Sequence, residues 1–123
     1  MIVNESAENY LETILILSKK LPVVRSVDIA NELGFKKSSV SIAMKNLRGK
    51  NHITVTDAGF IYLTDSGRHI AEMIYERHEF LSRWLTSLGV PSEIATEDAC
   101  KIEHILSRES YDAIKNYVKE NTP

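Results

Sequence analysis

Apolar side chains recur at helical spacing along most of this chain, and the spacing gives way to alternation in one short stretch. Tyr10, Leu11, Ile14, Leu15 and Ile16 mark a first helix that runs from a Ser6 cap to about Lys20, before Pro22 limits it. "VDIANEL" follows a Ser26 cap as a short second helix, with Ile29, Ala30 and Leu33 apolar and Gly34 placed as a C-terminal stop. In "KKSSVSIAMKNLRGKN" a Ser38 cap precedes Val40, Ala43, Met44 and Leu47 at i, i+3, i+4 and i+7, which turns Ser39, Ser41, Ile42, Lys45 and Asn46 outward. The period then changes. "HITVTDAGFIYLT" alternates Ile53, Val55, Ile61 and Leu63 around a turn at Asp57, Ala58 and Gly59, the pattern of an antiparallel hairpin.

Helical spacing resumes from Asp65, where Ile70, Ile74, Leu81, Leu85 and Leu88 form one stripe ending near Gly89 and Pro91. "PSEIATEDACKIEHIL" reads as the next helix from a Ser92 cap, and Ser107 caps a last one through Tyr111, Ile114 and Val118. Two short helices joined at a glycine and followed by a hairpin make a winged helix-turn-helix. The expected fold is therefore mainly α with a small β-wing. A winged helix-turn-helix DNA-binding domain is expected over 1–66, followed over 67–123 by an all-helical domain suited to dimerisation and sensing.

Charge sharpens the first half of this picture. The net charge of the 123-residue chain is only -2, so nothing global advertises nucleic acid. Yet every charged residue from Lys36 to Lys50 is basic: Lys36, Lys37, Lys45, Arg48 and Lys50. A charge run is often no more than a solvated face, but this one lies on the second helix of the helix-turn-helix. After Ser66 acidic residues outnumber basic ones, which disfavours a second nucleic-acid surface there. A single cysteine excludes an internal disulfide, and the start of the chain lacks a secretory signal pattern, so a cytoplasmic protein with a reduced thiol is expected. No stretch is long enough to span a bilayer, and no membrane partner is expected.

The chemistry concentrates in "DACKIEHIL". Cys100, Glu103 and His104 stand at i, i+3 and i+4, so a helix carries them on one face. Two readings fit this stretch. In one, Cys100 packs as a small hydrophobe while Glu103 and His104 meet solvent; in the other, the three converge on a metal. His78 lies on the stripe of the long helix where an apolar side chain is expected, either as a hydrogen-bonded core residue or as a ligand. With Glu12 on the first helix, three helices offer metal-capable groups on or near inward faces, and helical bundles commonly build metal sites this way.

From Ser6 to Glu120 the chain resembles the diphtheria-toxin-repressor and manganese-transport-regulator family of metal-activated transcription factors. The resemblance is carried by "SAENYLETI", "VDIANELGFKKSSVS", "LTDSGRHIAEMIYERHEFL" and "EDACKIEH", in that order. It implies ferrous iron or manganese as corepressor, and a homodimer that binds a palindromic double-stranded operator, as expected of a repressor of metal-uptake genes. Carried over, the ligands are His78, Cys100, Glu103 and His104, joined by Glu12 and Asn9 from the first helix. His78, Glu103 and His104 match the family plainly. Glu12 matches the manganese-type members, Cys100 the iron-type, and Asn9 neither. Ser82 and Thr96 stand where the iron-type members carry an ancillary site, and the chain ends near the end of the shorter members.

A thiolate favours later, softer first-row metals and carboxylates favour harder ones, so Cys100 tilts the expectation toward Fe2+ with Mn2+ a contender; other divalent transition metals are expected to bind in vitro. On the reading helix, Lys36, Lys37, Ser38, Ser39, Ser41, Ile42 and Lys45 are the candidate DNA contacts. The lysines and hydroxyls suit phosphates, and Ile42 suits a thymine methyl. Two other classes stand beside this one. A metal-independent winged-helix DNA-binding protein would use Cys100 and His78 only as core. An enzyme would use Cys100 and His104 as nucleophile and base, and the absence of a glycine-rich oxyanion loop argues against it, so no enzymatic activity is expected.

Overall fold

The computed structural model describes residues 5–121. The elements run α1 (Glu5–Lys20), α2 (Ser26–Leu33), α3 (Lys37–Gly49), β1 (Ile53–Val55), β2 (Ile61–Leu63), α4 (Asp65–Ser87), α5 (Ser92–Ile102) and α6 (Arg108–Glu120). The chain divides into two compact units inside α4, between Glu72 and Met73, whereas the boundary expected at Ser66 falls at the start of that helix. The first turn of α4 is tied to the hairpin: the Thr64 amide donates to the His52 carbonyl (3.1 Å), and His52 Nδ1 lies 3.1 Å from Ser66 Oγ.

In the first unit, α1, α2 and α3 bury the faces their periodicity marks. Leu11, Ile14, Ile29 and Val40 are essentially inaccessible. Gly34 closes α2 at a φ of 70°, a left-handed conformation that favours glycine, and its amide reaches the Ala30 carbonyl at 2.9 Å. The hairpin pairs Ile53 with Leu63 and Val55 with Ile61, so Ile53 and Ile61 both reach the core. Gly59, at φ 84°, turns the wing where the sequence expected it. The Ile61 amide also donates to the Val24 carbonyl at 2.8 Å, which anchors the wing to the segment between α1 and α2.

The second unit comprises the rest of α4 with α5 and α6. Leu81, Ala95 and Ala99 are fully buried, and Phe80 meets Tyr111 edge-on with ring centroids 5.7 Å apart. Ser107 caps α6 as expected, accepting from the Ser110 amide at 3.0 Å.

The other expected caps differ. Ser26, Ser38 and Ser92 lie inside their helices, whose N-caps are Arg25, Lys36 and Pro91. At α2 the capping comes from the other direction, since Asp28 accepts the Arg25 amide at 2.9 Å and leaves Ser26 no such role. Ser6 lies in the first turn of α1, and the cap position before Glu5 falls outside the described residues. The stripe of α4 also ends early: Leu88 lies beyond the helix and is 65% exposed. Among the described residues no helix is long and apolar enough to cross a membrane.

Candidate metal centre and nucleic-acid interface

The site in the second unit is organised around Glu103, a carboxylate with no exposed surface. A carboxylate so placed needs partners, because water no longer solvates it. His78, reaching in from α4, donates from Nδ1 to Glu103 Oε2 at 2.9 Å. Cys100 Sγ, from the last turns of α5, lies 3.6 Å from the same nitrogen. The ligand atoms of His78, Cys100 and Glu103 all lie within 4.8 Å of one another. On the other side of the carboxylate, His104 Nε2 is 3.3 Å from Glu103 Oε1. His104 stands outside the triple formed by the other three and is joined to it through Glu103.

This arrangement corrects one expectation. Cys100, Glu103 and His104 do not ride on one continuous helix face, because α5 ends at Ile102; Glu103 is its C-cap and His104 begins the turn that follows. Glu103 keeps the helical hydrogen bond of its amide to the Ala99 carbonyl (3.0 Å), so its side chain still projects beside Cys100. Beyond it the chain leaves the helical path, and His104 approaches the same carboxylate from a different direction. The bland placement of Glu103 and His104 in solvent is likewise excluded, since their side chains are 0% and 3% exposed.

A thiolate, two imidazoles and a buried carboxylate form a mixed soft and hard donor set that suits a first-row divalent ion. The fit shows most clearly at Glu103, a fully buried carboxylate whose Oε2 is hydrogen-bonded to His78 and whose Oε1 faces His104 Nε2 at 3.3 Å without a hydrogen bond, in a place where a negative charge left uncompensated would be costly. His78 and Cys100 keep some exposure, which leaves a route for an ion to enter.

Sequence reasoning missed one residue here. Arg77 is buried at 7% exposure, and its Nη1 donates to the carbonyls of Glu103 (3.2 Å) and Leu106 (2.8 Å). Its position at i+7 from Ile70 and i−4 from Leu81, on the apolar stripe of α4, was the available signal.

The remaining candidates lie in the first unit. Glu12 is buried on α1, and Asn9, one turn earlier on the same face, is half-buried with its carbonyl accepting from the Thr13 hydroxyl at 2.8 Å. Along α3 the structure presents a continuous polar and basic face. Lys36 is the N-cap, Lys37 opens the helix, and Ser38, Ser39, Ser41 and Lys45 are all exposed. Ile42 lies on that face at 63% exposure, although it is apolar. Val40, Met44 and Leu47 occupy the opposite face and anchor the helix in the core.

Comparison with known proteins agrees with both halves. Residues 3–56 match the description "Iron dependent repressor, N-terminal DNA binding domain", and residues 64–122 match "Iron dependent repressor, metal binding and dimerisation domain". The transcriptional regulator MntR of Escherichia coli is 32% identical over 117 residues, covering 95% of this chain and 76% of that protein. The HTH-type transcriptional regulator MntR of Listeria welshimeri is 34% identical over 120 residues, covering 96% of this chain and 84% of its own. Among solved structures, a manganese-dependent transcriptional repressor in complex with manganese superposes with a TM-score of 0.84 at 25% identity, over 92% of this chain and 52% of that one. The chain therefore belongs to the iron-dependent repressor family, the metal-dependent transcriptional regulators related to the diphtheria toxin repressor and MntR, which bind DNA and are not enzymes.

Proposed function

We propose that this chain binds a palindromic operator as a homodimer when a divalent metal is held by His78, Cys100, Glu103 and His104. The observation that carries this reading is the fully buried Glu103 carboxylate, flanked by two imidazoles with a thiol beside one of them. A bound ion would supply the positive charge that this cluster of donors is built to share. Asn9 and Glu12 enter the ligand set on the family resemblance, with Glu12 the stronger donor because an amide brings no charge. Lys36, Lys37, Ser38, Ser39, Ser41 and Lys45 would follow the phosphates, and Ile42 would meet a base edge.

Of the two metals, Mn2+ takes precedence over the Fe2+ that Cys100 alone suggested. A solved structure similar to this chain is described as a manganese-dependent repressor in complex with manganese, and a single thiolate among carboxylate and imidazole donors does not make the site a soft one. Binding regulates because a ligand that prefers one conformation shifts the population toward it.

The test is DNA binding by chelator-stripped protein to a palindromic site selected from random-sequence duplexes. Added Mn2+ should raise affinity by about 5- to 150-fold, the usual range of such coupling. Equal affinity in chelator and in Mn2+ would make the chain a metal-independent winged-helix protein. In the same assay Cys100→Glu should move the ratio of Mn2+ to Fe2+ activation further toward Mn2+, and an unchanged ratio would remove Cys100 from the ligand set.

A further inference from the structure

Arg77 is a buried cation held by backbone oxygens. Among the described residues no carboxylate forms an ion pair with it, and its Nε has no hydrogen-bond partner. Nη1 alone bridges the carbonyls of Glu103 and Leu106, while the guanidinium lies over the Tyr111 ring, 4.8 Å from its centroid. The terminal carbonyls of a helix lack intrahelical donors and carry the negative end of its dipole, so a cation suits them. As a device for stability the arrangement is poor, because a buried charge with an unsatisfied donor costs desolvation that two carbonyls and a ring do not fully return. What it does achieve is a fixed backbone for the turn 103–106.

That turn carries Glu103 and His104. Arg77 and His78 are consecutive on α4, and both hold Glu103: Arg77 grips its carbonyl and His78 its carboxylate. The second carbonyl in the grip of Arg77, that of Leu106, sets the far end of the turn, directly before the Ser107 cap of α6. The segment that bears two candidate ligands is thus clamped at both ends by one guanidinium.

We infer that Arg77 is a positioning residue for the metal ligands, presetting the turn so that Glu103 and His104 are in place before an ion arrives. This rests on the metal-binding reading above and adds a residue that would touch no ion. Groups that orient metal ligands typically change affinity by about 10- to 100-fold when removed.

The experiment uses the full chain and measures Mn2+ affinity by chelator competition, the visible absorption of the Co2+-loaded protein, and, without metal, thermal stability and hydrogen exchange. Arg77→Met and Arg77→Gln should each weaken Mn2+ binding by about 10- to 100-fold and alter the Co2+ spectrum. Arg77→Lys should recover most of that loss, because an ammonium keeps donors for both carbonyls. In the metal-free Arg77→Gln protein the amides of Ile105 and Leu106, which both bond the Ile102 carbonyl at 3.2 Å, should exchange faster than in the wild type. Should Arg77→Met not fold, Arg77→Gln carries the same expectation. Wild-type Mn2+ affinity in Arg77→Gln, whatever its thermal stability, overturns the positioning role alone, as does a loss in Arg77→Lys equal to that in Arg77→Gln. Failure of the wild-type chain to bind Mn2+ or Co2+ at all would overturn the metal-binding reading and this inference with it.

Discussion

Gly67 shows how narrowly single side chains are specified in the first unit. It lies in the first turn of α4, and a Cβ built on it would stand 1.9 Å from the His52 carbonyl oxygen. That oxygen already accepts the Thr64 amide, and the Gly67 amide itself donates to Thr64 Oγ1 at 3.2 Å, so neither strand of the contact is free to retreat. The requirement is one of space, since this glycine is not among those with positive φ. Gly67→Ala should therefore act as an overpacking substitution, costing about 1–3 kcal/mol. Thermal unfolding of the metal-free protein should show a midpoint lower by about 4–8 °C for each kcal/mol lost, as for a domain of this size. An unaltered midpoint would mean that the hairpin yields to the methyl group.

At the level of elements, α4 and α6 are joined by groups whose titration is predictable. Burial first, and then the negative charge of Glu76, push the Tyr111 phenol above its ordinary value. Lys115 is also raised, chiefly by its hydrogen bond to Glu76. In both cases the folded state holds the proton more tightly than the unfolded chain does. Stability is thus complete below the unfolded values near 10 and declines as pH rises through the folded ones. Through these two groups the thermal midpoint of the second unit should fall as pH rises beyond about 10. Tyr111→Phe should remove part of that fall. At pH 7 the same substitution should be close to neutral, because the Tyr111 hydroxyl is buried with no hydrogen-bond partner among the described residues. A steep alkaline loss that persists undiminished in Tyr111→Phe would assign it elsewhere.

For the whole molecule the expected state is a homodimer. The second unit leaves Ile94 at 49% and Ile105 at 72% exposure, in a segment that matches a dimerisation domain. Scattered apolar exposure alone means little, but two isoleucines in such a segment suit a self-complementary two-fold surface. Sedimentation at micromolar concentration should give a dimer, and Ile105→Asp should shift it toward monomer. A wild-type monomer with and without Mn2+ would remove the two-fold operator geometry from the proposed function.

Local physics made much of this legible in the residues alone. Periodicity marked the six helices and the hairpin of the described residues, Gly34 and Gly59 marked turns that need positive φ, and the exposed basic face of α3 followed from which positions its apolar residues occupy. Each depends on neighbours within a few positions, which sequence displays directly. Helix starts were less legible because several residues compete for one cap; at α2, for example, Arg25 takes the position that Ser26 was expected to fill, and Asp28 reaches back to accept its amide. The site required tertiary structure for a different reason. His78 meets Cys100 and Glu103 across 22 and 25 positions, and the end of α5 at Ile102 sends His104 to the far oxygen of Glu103 instead of along a shared helix face. Arg77 was the least legible of all. In sequence it is one charged residue on a long helix, and only the turn between α5 and α6 supplies the carbonyls that allow a guanidinium to be buried there.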